Sequence, residues 1–350
     1  LGGLVDAGDA RLNATSEEPA LVPPLESAAD SPAGSLSDPP AEQSTEPPTL
    51  GLRPPAGPGF PKLRRYVRRV QDYGRLLRLN RPIGIWLLLW PMLWALWIGS
   101  NGHPLGPVFL IMVLGVVVMR SAGCVINDFA DRNVDVHVRR TRDRPLAARR
   151  ISPYEALLVF AILIALALVL VTRLNPLTVR LSLVGAALAV TYPFMKRVFP
   201  LPQFYLGLAF GWAVPMAFAA QLGAVPRAGW VIFCIAVVWA AIYDTLYAMV
   251  DRDDDLKIGV RSTAILFGDL DRLIVGAMQV MMLFALVILG RGLDFGRWYL
   301  LGIGVAGLLF GYQQWLIRAR NPEECFRAFL NNNYTGMAIF IGICLEYSLH

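Results

Sequence analysis

Nine apolar stretches constrain this chain more than any other feature: residues 83–99, 106–127, 154–172, 176–193, 202–221, 229–250, 271–290, 298–317 and 332–348. Each is near the roughly 20 residues that carry a helix across a hydrocarbon core. Backbone polar groups in lipid must be satisfied within the chain, so such stretches can only be helices. With 55% hydrophobic and 17% charged residues and a mean hydropathy of +0.50, an ordinary soluble domain is excluded. The expectation is an all-α bundle of nine transmembrane helices over residues 82–350, around a central cavity. Gly207 with Gly211, and Gly307 with Gly311, are expected to let neighbouring helices approach closely.

Residues 1–60 are expected to form a disordered tail. They hold eleven of the 25 prolines, with nine acidic and two basic residues, leaving 17 acidic and 30 basic beyond, a balance of +13. The tail lacks the basic start and apolar core of a secretory signal and is too acidic for a typical mitochondrial transit peptide. The absent initiator Met suggests a processed or truncated start. In residues 61–81, Lys62, Arg64, Arg65, Arg68, Arg69, Arg75 and Arg78 alternate with Leu63, Tyr66, Val67, Val70, Tyr73 and Leu77 at helical spacing. That is a basic amphipathic segment suited to an anionic membrane surface.

The basic residues beyond it fall in loops between spans, a pattern of membrane orientation rather than of nucleic-acid binding. Seven arginines follow the second span (Arg132, Arg139, Arg140, Arg142, Arg144, Arg149 and Arg150), and Lys196 and Arg197 follow the fourth. Arg252, Lys257 and Arg261 follow the sixth, and Arg318, Arg320 and Arg327 the eighth. The alternating loops are poor in Lys and Arg, which places the amino terminus and the even loops in the cytoplasm.

Two acidic stripes lie where spans run out into such loops. Asn127, Asp131 and Asp135 step by four residues, and Asp128 falls in the same quadrant at roughly 100° per residue. Asp244, Asp251 and Asp255 share a face if helix continues through them. Both stripes are expected on the cytoplasmic side, so the cavity should open there. The bland reading is two solvated helix ends. Clustered carboxylates repel one another unless a cation sits between them, however, and hard oxygen ligands with room for water and phosphate suit Mg²⁺. Three histidines and four scattered cysteines leave oxygen as the ligand type. With Arg120, Arg132, Arg144, Lys196, Arg197 and Lys257 around it, such a site fits a lipid diphosphate, its head held by metal and cations and its tail in hydrocarbon.

Asn127-Asp128-x-x-Asp131-x-x-x-Asp135, Arg144-Pro145-Leu146, Thr191-Tyr192-x-x-x-Lys196-Arg197, Tyr243-Asp244-x-x-Tyr247-x-x-x-Asp251-Arg-x-x-Asp255 and Lys257-Ile-Gly-x-Arg-Ser-Thr263 resemble the UbiA superfamily of intramembrane prenyltransferases. The resemblance covers about residues 70–348. Arg81-Pro-Ile-Gly84, Ala122-Gly-Cys124 and Pro215-Met-Ala-Phe-Ala219 make it closest to the bacterial 4-hydroxybenzoate polyprenyltransferases of ubiquinone biosynthesis. Asn331-Asn-Asn-Tyr334 also resembles the family pattern, without a physical role legible in it.

The resemblance implies catalysis by Asp128, Asp131, Asp135, Asp244, Asp251 and Asp255, which with Asn127 would hold Mg²⁺ on a polyprenyl diphosphate. It also implies that Arg81, Arg120, Tyr192, Lys196, Arg197 and Lys257 bind substrate, with Arg144 a candidate for the carboxylate of 4-hydroxybenzoate. The implied setting is a bacterial inner membrane, with the mitochondrial inner membrane second. Arg261 stands where the family often carries Lys. Other acceptors (a naphthoate, homogentisate or haem) fit the same motifs. Carboxylates between helices also serve cation-coupled transporters, and charged loops could recruit partners to a scaffold.

Overall fold

The structure, a computed structural model, describes residues 61–349 except 138–140, 199–200 and 259–261; the side chains of 61–64, 137, 196–198, 253–254 and 258 are also outside the description. The expected acidic tail, 1–60, lies outside the described residues. So do Arg139, Arg140, Arg261 and the side chains of His137, Lys196 and Arg197.

Helix is the regular structure throughout, with no strand among the described residues. The order is α1 (Pro61–Leu76), α2 (Ile83–Gly99), α3 (Gly106–Asp131), α4 (Pro153–Val171), α5 (Pro176–Val198), α6 (Pro202–Gly211), α7 (Ala213–Leu222), α8 (Arg227–Ile258), α9 (Thr263–Phe267), α10 (Asp271–Gly292), α11 (Arg297–Leu316) and α12 (Pro322–Leu349). All nine apolar stretches fall on helix. Seven candidates are long and apolar enough to cross a membrane; α2, at 17 residues, is shorter, and α12 is not among the seven. Glu323, Glu324, Arg327 and three asparagines dilute the apolar content of α12.

Local chemistry sets the helix ends. Ser152 accepts a hydrogen bond from the Glu155 amide at 3.2 Å while Glu155 accepts one from the Ser152 amide at 2.9 Å, a reciprocal cap with Pro153 at the first helical position of α4. The fifth stretch divides into α6 and α7 at Trp212. Pro215, three residues into the second half, has no amide to donate back across the break.

α8 lies at the centre, with Trp239, Ala241, Ile242 and Leu246 fully buried against α2, α6, α10 and α12. α4 and α5 are peripheral and turn most of their apolar side chains outward. Gly207 meets α8 as expected: a Cβ there would lie 2.7 Å from the Val237 carbonyl oxygen. The Gly307–Gly311 pair does not act this way, since a Cβ at Gly311 would meet nothing within 4 Å. The close approach on α11 is five residues before Gly307, where a Cβ on Gly302 would lie 2.8 Å from the Ala338 oxygen and 3.0 Å from the Gly342 Cα.

Buried polar bonds fix the helices against one another. Asn331 accepts from Gln313 Nε2 at 3.0 Å, Asn332 from Trp239 Nε1 at 3.0 Å and Asn333 from Trp90 Nε1 at 2.9 Å. Three successive residues thus bind α12 to α11, α8 and α2. Asp271, fully buried, accepts from Arg320 Nε at 3.0 Å and Nη2 at 2.8 Å, and lies 3.5 Å from Arg252 Nη1. This joins the ends of α8, α10 and α12. Replacing Asn332 by Leu leaves the buried Trp239 donor without an acceptor; thermal unfolding in detergent is expected to show a loss of about 1–3 kcal/mol.

Candidate active site

α3 carries Asn127, Asp128 and Asp131 to its end, where the helix stops at Asp131. The expected continuation of the same helix to Asp135 is therefore corrected: Asp135 opens a separate single turn, Asp135–His137. Its side chain is nonetheless buried, as are those of Asp128 and Asp131. What draws it in is Arg144, whose Nη1 lies 2.7 Å from Asp135 Oδ2 and 3.1 Å from Asp128 Oδ1. Thr141 Oγ1 donates to the Asp135 carbonyl at 3.0 Å and closes the loop. Burial pushes the Asp135 carboxyl above the ordinary carboxylate range, and Arg144 pulls it partly back.

Asp128 is 1% exposed and has a second cation. Arg78 Nη2 donates to its Oδ1 at 2.8 Å. Arg78 follows α1 in a left-handed conformation, φ 57°, uncommon for a residue with a side chain. That turn brings Arg78 back over the end of α3, and burial there lowers its guanidinium pKa against the opposing pull of Asp128. Asp128 Oδ2 is buried and has no hydrogen-bond partner among the described residues.

The second stripe lies on α8, which runs unbroken to Ile258, so Asp244, Asp251 and Asp255 do share one helix. Asp244 and Asp128 line a single cavity of about 820 Å³. Its charged part also includes Asn127, Arg78, Arg81, Arg120, Arg144 and Tyr192. The rest is apolar, from Leu87 and Leu88 on α2, Met112 and Val116 on α3, Ile164 and Leu168 on α4, and Ala186 and Ala189 on α5. Asp131, Asp135, Asp251, Asp255 and Lys257 are not part of the cavity lining. Asp251 and Asp255 are half-buried further along α8, and Lys257 is exposed. Arg144, a candidate for an acceptor carboxylate from sequence, is engaged with two carboxylates of the chain itself.

The donor set is hard oxygen, and the unpartnered Asp128 Oδ2 is available to a divalent cation. Among the described residues no three His, Cys, Asp or Glu side chains converge enough to enclose an ion.

Sequence reasoning missed Arg78 as a cavity residue, together with Phe210, Tyr243, Phe326 and Phe329. The available signal for Arg78 was its place three residues before Arg81-Pro82, at the start of the first span.

The description "UbiA prenyltransferase family" matches residues 88–339. The chain belongs to the UbiA prenyltransferase family. This UbiA protein is 59% identical over 285 residues to a 4-hydroxybenzoate octaprenyltransferase of Alkalilimnicola ehrlichii, covering 81% of this chain and 97% of that one. It is 58% identical over 280 residues to a 4-hydroxybenzoate octaprenyltransferase of Nitrosococcus oceani, covering 80% and 98%. Among solved structures, a UbiA homologue from Aeropyrum pernix superposes with a TM-score of 0.66 at 25% identity, over 75% of this chain and 97% of that one. A UbiA homologue from Archaeoglobus fulgidus bound to GPP and Mg²⁺ superposes at 0.59 with 21% identity, over 77% and 99%.

The Arg144 bridge makes a prediction for this UbiA prenyltransferase. Arg144→Ala leaves two buried carboxylates without their shared cation, and without added metal the expected destabilisation is about 3–5 kcal/mol, read from thermal unfolding in detergent with chelator.

Proposed function

We propose that this prenyltransferase moves a polyprenyl group from polyprenyl diphosphate to the ring carbon ortho to the hydroxyl of 4-hydroxybenzoate, giving 3-polyprenyl-4-hydroxybenzoate for ubiquinone biosynthesis. The observation that carries the reading is the single cavity in which Asp128, Asp244 and a set of arginines adjoin a long apolar wall. Its charged part suits a diphosphate and its wall suits an isoprenoid tail. The names of the relatives supply the acceptor, and the Archaeoglobus homologue, with GPP and Mg²⁺ bound, supports the donor and the metal.

In this reading Asn127, Asp128 and Asp244, which line the cavity, would hold Mg²⁺ with oxygens of the diphosphate, and Asp131, Asp135, Asp251 and Asp255 of the two acidic stripes would add negative charge around it. When bound, the metal supplies positive charge that stabilises the departing diphosphate. Arg78, Arg81, Lys196, Arg197 and Lys257 take diphosphate oxygens, with Arg144 released to them from its two carboxylates, and Tyr192 faces the same head group. Arg120 lies seven residues before Asn127, roughly 10 Å deeper along α3, and takes the acceptor carboxylate. The allylic carbon–oxygen bond ionises, and Phe210, Tyr243 and Tyr247 line the space where the delocalised cation forms and keep water from it. The acceptor ring closes the new carbon–carbon bond and returns its proton to a nearby oxygen.

The nine helical stretches are proposed to span a bacterial inner membrane, with the amino terminus and the mouth of the cavity on the cytoplasmic side. α1 lies on that surface, where Tyr66, Val67 and Val70 are exposed beside Arg65 and Arg68.

Purified protein offered polyprenyl diphosphate, Mg²⁺ and one of 4-hydroxybenzoate, a naphthoate or homogentisate should form product with 4-hydroxybenzoate alone and none in chelator. Product with another acceptor alone would overturn the assignment. Asp128→Asn and Asp244→Asn are each expected to lower kcat by about 10²–10³-fold. Mg²⁺ with a non-hydrolysable diphosphate analogue should raise the melting temperature of the wild type and much less that of Asp128→Asn.

A further inference from the structure

Arg120 is held in an unusual way. Its guanidinium makes no ion pair among the described residues, and its buried Nε has no hydrogen-bond partner there. The group is confined by contact instead. Its Cζ lies 5.4 Å from the centre of the Phe210 ring on α6. Its Nε–Nη2 edge also lies against bare backbone at Gly84, in the first turn of α2. A Cβ at Gly84 would lie 2.4 Å from Nε, 2.5 Å from Nη2 and 2.8 Å from Cζ. No side chain larger than hydrogen fits there while the guanidinium keeps its place.

We propose that Gly84 and Phe210 form a slot that positions the Arg120 guanidinium for the acceptor carboxylate, making Gly84 a positioning residue for the acceptor. The inference rests on the reading of Arg120 given above. A planar guanidinium recognises a planar carboxylate through paired, direction-dependent N–H bonds, so its orientation counts as much as its charge. An arginine with many rotamers supplies that orientation only if something removes its freedom before the ligand arrives. Hydrogen bonds within the protein would do this by consuming donors. A slot made of a Cα and an aromatic face restrains the plane and leaves donors for the ligand.

The geometry separates this role from ordinary packing. Gly84 is not in a left-handed conformation, so alanine suits its backbone, and alanine is the better helix former. The atoms a new methyl would meet are the far end of a flexible side chain, so Arg120 shifts rather than the helix. Gly84→Ala should therefore fold with an unchanged or higher melting temperature.

At saturating Mg²⁺, Gly84→Ala in the full chain is expected to raise KM for 4-hydroxybenzoate about tenfold or more and to leave KM for polyprenyl diphosphate within about twofold. Phe210→Leu should move the same constant in the same direction. The decisive comparison is with Arg120→Lys, whose compact ammonium does not need the slot. In that background Gly84→Ala should have little further effect, giving a strong coupling in the double-mutant cycle. Arg120→Ala locates any failure. If it raises the acceptor KM while Gly84→Ala behaves as wild type, or if Gly84→Ala and Arg120→Lys are simply additive, the slot is overturned and the role of Arg120 stands. If Arg120→Ala leaves the acceptor KM unchanged, the reading of Arg120 falls and the slot with it.

Discussion

A carboxylate buried at the end of an apolar helix cannot stand alone, and the arrangement around Asp128 follows from that. Removing it from water costs several kcal/mol unless opposite charge and hydrogen bonds compensate. Two arginines do so, from opposite directions along the chain: Arg78 from the turn before α2 and Arg144 from the loop after α3. The loop and the turn are thereby tied to one atom group. In the proposed reading the same arginines are the cations a diphosphate would meet, so compensation of the protein's own charge and preparation for an anionic ligand become one arrangement.

The cavity depends on that corner and on the central helix. α8 is buried along most of its length and presents Asp244 to the space that Asp128 reaches from α3. Further along α8, Arg252 approaches Asp271, which Arg320 also grips. The end of α8 that carries Asp251 and Asp255 is thus anchored to α10 and α12 by an ion cluster outside the cavity. Thr245 and Thr263 exchange a 2.7 Å hydrogen bond, and Gln203 accepts from the Thr263 amide at 3.1 Å, fastening the segment after α8 to α6. The metal-site candidates therefore sit on elements that are held from behind.

Much of this was legible in the sequence because hydrocarbon permits so few structures. The nine apolar stretches all proved helical, and Asp128 and Asp244, one from each phased stripe of carboxylates, line the same cavity. What escaped were features set by turns and by tertiary contact. Arg78 reads as one more cation in an amphipathic stripe; only the left-handed turn that reverses its direction sends it to Asp128. Asp135 reads as one helical step beyond Asp131, yet the helix stops and Arg144 recovers the residue by charge. Gly311 has the spacing of a packing glycine but faces no neighbour, because the contact of α11 with α12 falls at Gly302 and Gly342. The Gly84 contact with Arg120 joins residues on different helices, and no local pattern encodes it.

The asparagine triplet of α12 carries a mechanical implication. Consecutive side chains on a helix diverge by about 100°, so three adjacent bonds to three different helices act as the teeth of a key, blocking rotation and sliding alike. A screw motion of α12 would break all three together, stranding indole and amide donors in hydrocarbon. Any breathing that admits a long isoprenoid is therefore borne by other helices, with α12 as the fixed jamb of the door.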